Sequence, residues 1–195
     1  MMGTMLNSWL TFTLLVACQP AGYTPTQPSQ TTVFQTPTVS SQPTPIGKTM
    51  PSVTRRQIEE VINAGSQISL NGQNLQELDL SGLNLSGFDF SYANLDEANL
   101  SGANLNTGIL WSVHARKANL SRANLTGANL GTADLSESNL CGAILQNASL
   151  LGTSLNKADL RGADLRGANL QNAILDGAVS NSETQWPVGF IPHLK

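Results

Sequence analysis

Residues Ala158 to Leu170 read ADLRGADLRGANL, with Leu160, Leu165 and Leu170 five residues apart. On an α-helix a step of five turns the chain by about 140° beyond a full turn, which spreads such leucines around the cylinder. On a flat strand an odd spacing sends successive leucines to opposite faces. A chain that turns a corner once in every five residues gives them a common interior. Each frame is then one side of a square coil, and the residue two before each leucine also points inward by strand periodicity. That residue is usually alanine, as at Ala93, Ala98, Ala103, Ala118, Ala123 and Ala128.

The register holds from Leu70 to Leu175 through 22 frames, in which only Phe90 and Ala115 replace leucine. Self-similarity at a fixed period marks a solenoid. The frame A-(D/N)-L-x-x over residues 68–178 resembles the pentapeptide-repeat family. That resemblance implies an all-β fold, a right-handed quadrilateral parallel β-helix with four frames per coil. Twenty-two frames make about 5.5 coils, and stacking at about 4.8 Å per coil gives a rod roughly 26 Å long.

The ends need lids, because an open coil exposes strand edges and core. Residues 54–67 are expected to form an N-terminal capping helix. Thr54 and Gln57 fit a capping box, Ile58, Val61 and Ile62 form one apolar stripe, and Gly65 fits a stop. Bulky Leu78, Leu83 and Phe88 stand where later frames carry alanine, which suits them to receive that helix. Residues 179–195 are expected to break the repeat as a C-terminal cap. There TQWPVGFIP, Thr184 to Pro192, resembles a tail found after the repeats of cyanobacterial family members. Trp186, Phe190 and Ile191 are its expected plug.

Ahead of the repeats the composition changes. Trp9 to Ala17 is a nine-residue apolar run before Cys18, too short to span a bilayer, which takes about 20 residues. It suits the apolar region of a signal peptide, although the residues before it include no Lys or Arg. LVAC resembles a bacterial lipobox, which implies a signal peptide over residues 1–17 and lipid on Cys18. Several acyl chains on one residue anchor stably, whereas one is marginal. Across residues 19–53, Pro, Thr, Ser and Gln fill 24 of 35 positions, a composition too poor in apolar surface to fold. Residues 18–53 therefore read as a disordered linker that lets a tethered domain stand clear of headgroups.

The chain carries no Ser-His-Asp set at a recognised spacing, no Gly-rich phosphate loop and no CxxC pair. Its two histidines, His114 and His193, argue against zinc, so no enzyme activity, cofactor or metal is expected. With Cys18 lipidated, Cys141 is the sole thiol, at a position after Leu140 that should face outward. Two outer columns emerge at 20-residue steps. Glu97, Lys117, Glu137 and Lys157 alternate in sign as an ion ladder; Asp79, Asn99, Asn119, Asn139 and Asp159 are expected to hydrogen-bond from coil to coil. One frame departs from the rest. WSVHA, residues 111–115, puts Ala115 at the centre, and Tyr92, Ile109, Trp111 and Leu151, with His114 nearby, form a candidate interaction patch. Apolar patches of this kind mark contact sites; the alternative is a bulged frame with Trp111 lying flat over Gly131.

Two functions fit. The first is a non-enzymatic scaffold, lipid-tethered to the cell envelope (periplasmic or outer surface), that binds an unidentified protein and no nucleic acid; secretion or a cytoplasmic location is the alternative. The second comes from family members that mimic duplex DNA and bind topoisomerases in the cytoplasm. Those carry strongly negative surfaces, whereas residues 68–178 hold 10 acids against 6 bases. Five acids from Glu77 to Glu97, with no base among them, are the only hint of an acidic track.

Overall fold

The computed structural model describes residues 53–66 and 68–192. The proposed signal peptide, Cys18, nearly all of the linker and His193 lie outside the described residues.

Every fifth residue from Ser69 pairs in parallel with the residue 20 positions later, beginning with Ser69–Asp89 and Asn74–Asn94. The coil therefore advances by 20 residues in four sides. Each side is a single bridged residue rather than an extended strand. On each side the leucine N–H donates to the next coil, as Leu100 does to the Asn119 carbonyl at 2.7 Å. The residue before it donates to the previous coil, as Asn119 does to Ala98 at 2.9 Å.

Corners are made by the two residues after each leucine. The N–H three residues beyond the leucine returns to its carbonyl, as Ala98 does to Leu95 at 3.0 Å. All 22 corners hold their second central residue at positive φ, the type II pattern. Ten use glycine, but twelve use another residue, Thr107 and Thr132 among them. A left-handed non-glycine residue costs roughly 1–2 kcal/mol. The cooperative stacking of the coils offsets that cost twelve times over.

The leucines and their alanine partners, except the half-buried Ala173, are buried in one cluster from Ile58 to Ala178. Phe90, Val113 and Ala115 are equally buried, so the irregular frame keeps its place in the core. Where an inward alanine is replaced by a hydroxyl residue, a carbonyl takes the proton. Ser138 Oγ donates to Leu135 at 2.7 Å and Thr153 Oγ1 to Leu130 at 2.7 Å. Gly108 stands at an inward position where an added Cβ would lie 3.0 Å from the Leu105 carbonyl oxygen, so alanine there would require a small local shift.

At the N-terminal end, helix α1 spans Arg55–Asn63. Its capping box forms as expected, with the Thr54 side chain accepting from the Gln57 N–H and Gln57 Oε1 accepting from Thr54. Ile58 is fully buried in the core, while Val61 and Ile62 are half-buried. Gly65 takes the positive φ of a helix stop. Arg55 reaches the first coil and donates to the carbonyls of Asp79 at 3.1 Å and Ser81 at 3.2 Å.

The C-terminal end differs from expectation. Parallel pairing does not stop at residue 178, because Asp159 pairs with Val179 and Asp164 with Gln185. The second step is 21 residues, so one residue is inserted in the turn between Asn181 and Thr184. Thr184, Gln185 and Trp186 then occupy the places of alanine, asparagine and leucine. Thr184 is buried and its Oγ1 donates to the Leu160 carbonyl at 2.9 Å, as Thr153 does within the rod. The sequence hid this frame because Ser180 fills a leucine position and the insertion shifts the phase. Beyond it Trp186 stacks on Phe190, ring centroids 5.4 Å apart, and both pack on the core. Ile191, expected in the plug, is 74% exposed.

Candidate interaction surface

The residue before each leucine is the middle of a side and points outward, which is why it is usually Asn or Asp. Its Oδ1 accepts the N–H two residues on, as Asn94 does from Asp96 at 2.9 Å. In two columns the side chains also link coils. Asn99 Nδ2 donates to Asp79 at 3.1 Å and Asn119 to Asn99 at 3.2 Å, the first part of the expected column. A second, Asn84–Asn104–Asn124, adds bonds of 2.9 and 3.3 Å.

Arginines near the C-terminal end hold two of these acids. The Arg166 guanidinium pairs with both oxygens of Asp164, at 2.9 and 2.7 Å, and Gln146 donates at 2.6 Å. Chiefly through the Arg166 hydrogen bond, the Asp164 carboxyl is lowered to about 2. At Asp159 burial opposes ionisation most strongly, but the Arg161 hydrogen bonds and charge outweigh it and leave the carboxyl below its ordinary value. Asp79 and Asp89 are also lowered, first by their hydrogen bonds to Ser81 and Ser91.

Ion pairing in the Glu97–Lys117–Glu137–Lys157 column is not realised. No pair within it falls among the ion pairs of the described residues; Glu137 instead lies 3.9 Å from Arg116. These side chains leave second corner positions and are exposed, where solvation competes with any pairing. The Cys141 expectation is also overturned. The residue is 1% exposed and is not a free thiol. A first corner residue stands beside its counterparts one coil away, here Ser121 and Arg161, so "after the leucine" does not mean solvent-facing.

The expected patch divides. Tyr92 is 59% and Ile109 is 42% exposed. The Tyr92 N–H donates to the Trp111 carbonyl at 2.9 Å, which brings Tyr92 and Trp111 together on adjacent coils. Trp111 is half-buried because its ring occupies the space above Gly131, where an added Cβ would collide with ring carbons. The frame is not bulged: His114 keeps its parallel pairing to both Asn94 and Asp134. Leu151 is half-buried and stands one coil beyond Gly131 in the same column. His114 is exposed but belongs to the next side of the coil, around the corner made by Trp111 and Ser112. Tyr92, Ile109 and Trp111 thus make the contiguous part.

Along the coil, sequence reasoning missed three other exposed apolar residues, Ile144, Ile174 and Val179, which are 40–50% exposed. All take the outward place before a core position. An apolar residue at that place is the signal that finds them.

The pentapeptide-repeat family model matches residues 74–111, 110–140, 118–155 and 143–179, in eight copies. The chain belongs to the pentapeptide-repeat family, whose members form right-handed quadrilateral β-helices. Among solved structures it is similar to the pentapeptide repeat protein Rfr23 from the cyanobacterium Cyanothece 51142. Identity there is 36%, over 59% of this chain and 88% of that one, with a TM-score of 0.49. It is also similar to a pentapeptide repeat protein of the Arabidopsis thaliana thylakoid lumen. There identity is 34%, over 53% of this chain and 72% of that one, with a TM-score of 0.52. No curated protein matches the chain. Among the described residues no helix is long and apolar enough to cross a membrane, and no cluster of side chains could hold a metal ion.

Proposed function

We propose that the protein is a non-enzymatic interaction scaffold, held at the cell envelope by lipid on Cys18, whose partner docks on the Tyr92–Ile109–Trp111 face. The observation that carries the reading is Tyr92, 59% exposed, joined through its N–H to Trp111 on the next coil, where Ile109 is 42% exposed, on a rod that otherwise buries most of its aliphatic side chains. Aromatic residues on a rigid support are the common anchors of protein contacts. The DNA-mimic reading is weaker, because the base-free acidic run is not free of counter-charge: Arg55 lies 3.4 Å from Asp79.

Fractionation tests the anchor. Wild-type protein is expected with membranes and the Cys18→Ser variant in the soluble fraction; wild-type protein in the soluble cytoplasm overturns it. A thioether at Cys18 would leave Cys141 a free thiol, so the proposed lipidated state differs at Cys141 from the one described above, and the two exclude each other. Cys141→Ala is therefore expected to stay with the membrane. A Tyr92→Ser, Trp111→Ser double variant tests the face in a cross-linked pull-down from envelopes. Loss of specific partners supports it, and an unchanged set removes it.

A further inference from the structure

The first corner residues Arg116, Ser136, Asn156 and Asp176 form one column of consecutive coils, and Glu137 and Lys157 stand beside them in the next. The short Ser136 leaves a depression between its longer neighbours. These six residues line a groove of about 330 Å³.

Several polar groups in this groove are unspent. Asn156 Oδ1 is buried and has no hydrogen-bond partner, a condition that calls for a missing donor. The Arg116 guanidinium has only contacts of 3.9 Å, to Asp134 and Glu137, which are too long for hydrogen bonds. Ser136 Oγ is shared with Ser154 at 2.8 Å. Among the described residues neither Lys157 nor Asp176 joins an ion pair.

The composition selects the ligand. Arg116 and Lys157 oppose a metal ion. A simple anion would face Glu137 and Asp176 and leave the Asn156 acceptor unserved. A simple cation would leave the two basic groups unused. The formal charges of the lining cancel, which matches a molecule carrying both signs. Arg116 and Asn156 stand two coils apart, about 10 Å along the rod, so side chains reaching inward suit charges separated by several bonds. We propose that the groove binds a small zwitterion of the short-peptide class. Its carboxylate meets Arg116 and Lys157, and its ammonium donates to Asn156 Oδ1 and Asp176.

The test is titration of the full chain with glycylglycine, followed by amide NMR shifts, with acetate, methylammonium and inorganic phosphate as single-charge controls. Saturable shifts confined to residues 116–176 are expected, with a dissociation constant of about 1 mM. The controls should bind about tenfold more weakly. Arg116→Gln and Asp176→Asn, both at exposed positions, should each weaken glycylglycine by about tenfold without moving the melting temperature. Phosphate or acetate binding as tightly as the dipeptide, and tighter in Asp176→Asn, overturns the proposal in favour of an anion site. Methylammonium binding as tightly overturns it in favour of a cation site, and the lack of any saturable shift removes the site altogether.

Discussion

The two ends of the coil are closed by different means. At the start a foreign element, α1, is laid across the opening; it brings its own capping box and sends Arg55 to two carbonyls of the first coil. At the finish the coil closes on itself. One inserted residue lets Thr184 and Trp186 take core positions, and only then does the Trp186–Phe190 stack cover them. The first solution has one fully buried apolar anchor, Ile58, with Val53 and Ile62 packed partly buried against the core. The second spreads the task over half-buried rings and hydrogen bonds. A lid is expected to fail by losing its anchor, and a continued coil by losing its register.

The largest effect should come from the anchor. Ile58→Ala removes a fully buried side chain and is expected to cost about 2–5 kcal/mol, read by chemical denaturation. Trp186→Ala removes a larger group, but one that is half-buried, and should cost roughly 2 kcal/mol, below the range for buried tryptophan. A reversed order would show that the finish, not the lid, holds the rod closed.

Next comes the register bond. Thr184→Val keeps the shape but withdraws the hydroxyl that donates to the Leu160 carbonyl and accepts from the Asn181 N–H at 3.1 Å. Leaving buried groups unpaired costs about 1–3 kcal/mol. Thr184→Ser should recover most of it. Hydrogen exchange should show faster exchange at Leu165, whose N–H donates to Gln185, while Leu70 at the other end is unchanged. Equal loss at both ends would mean that the inserted turn plays no part in register.

These contrasts also show what could be read in advance. The rod was legible because its period serves a single purpose, the stacking of leucine and alanine in columns, and each frame reports it independently. The helix lid was legible because Thr54, Gln57 and Ile58 act locally. The last frame was not, since its phase is set by pairing with Asp164, a residue 21 positions away, and no local signal marks the insertion. Of the contact face, the exposure of Tyr92 and Ile109 followed from their place in the frame. The seating of Trp111 depends on Gly131 one coil later, which the repeat arithmetic identified only as an alternative. Cys141 was misread because the frame assigns direction along the chain but not the crowding between coils.

Acid should sharpen the contrast through Asp164. Its carboxyl is at about 2 in the folded protein against an ordinary 3.8, chiefly because of Arg166. A lowered carboxyl stabilises the fold at pH values above the ordinary one, and that contribution is lost as pH falls through the folded value. The window lies between pH about 4 and about 2. Wild-type melting temperature should fall across it more steeply than that of Asp164→Asn. Arg55, which faces Asp79 at the other end, lies farther from its partner at 3.4 Å, so Asp79→Asn should change the slope less. Parallel slopes for wild type and Asp164→Asn would remove the ion pair from the account of the finish.

The smallest expected effect lies in the corners and compares early coils with late ones. Glu97 and Asn172 both hold second corner positions, at φ values of 61° and 59°. Asparagine tolerates this region because its short side chain can bond locally, whereas glutamate does not. Glycine relieves the strain but loses more freedom on folding, at a cost of roughly 0.5–1 kcal/mol. For Glu97→Gly the relief should exceed that loss slightly, a gain of about 0.5 kcal/mol or 1–2 °C in melting temperature. For Asn172→Gly the two should cancel or leave a small loss. If Asn172→Gly stabilised the protein more than Glu97→Gly, corner strain would have to be greater in the self-closing coil than in the lidded one. The finish would then be the strained end of the rod, and its exposed Val179 and Ile174 would mark a coil held short of relaxed geometry.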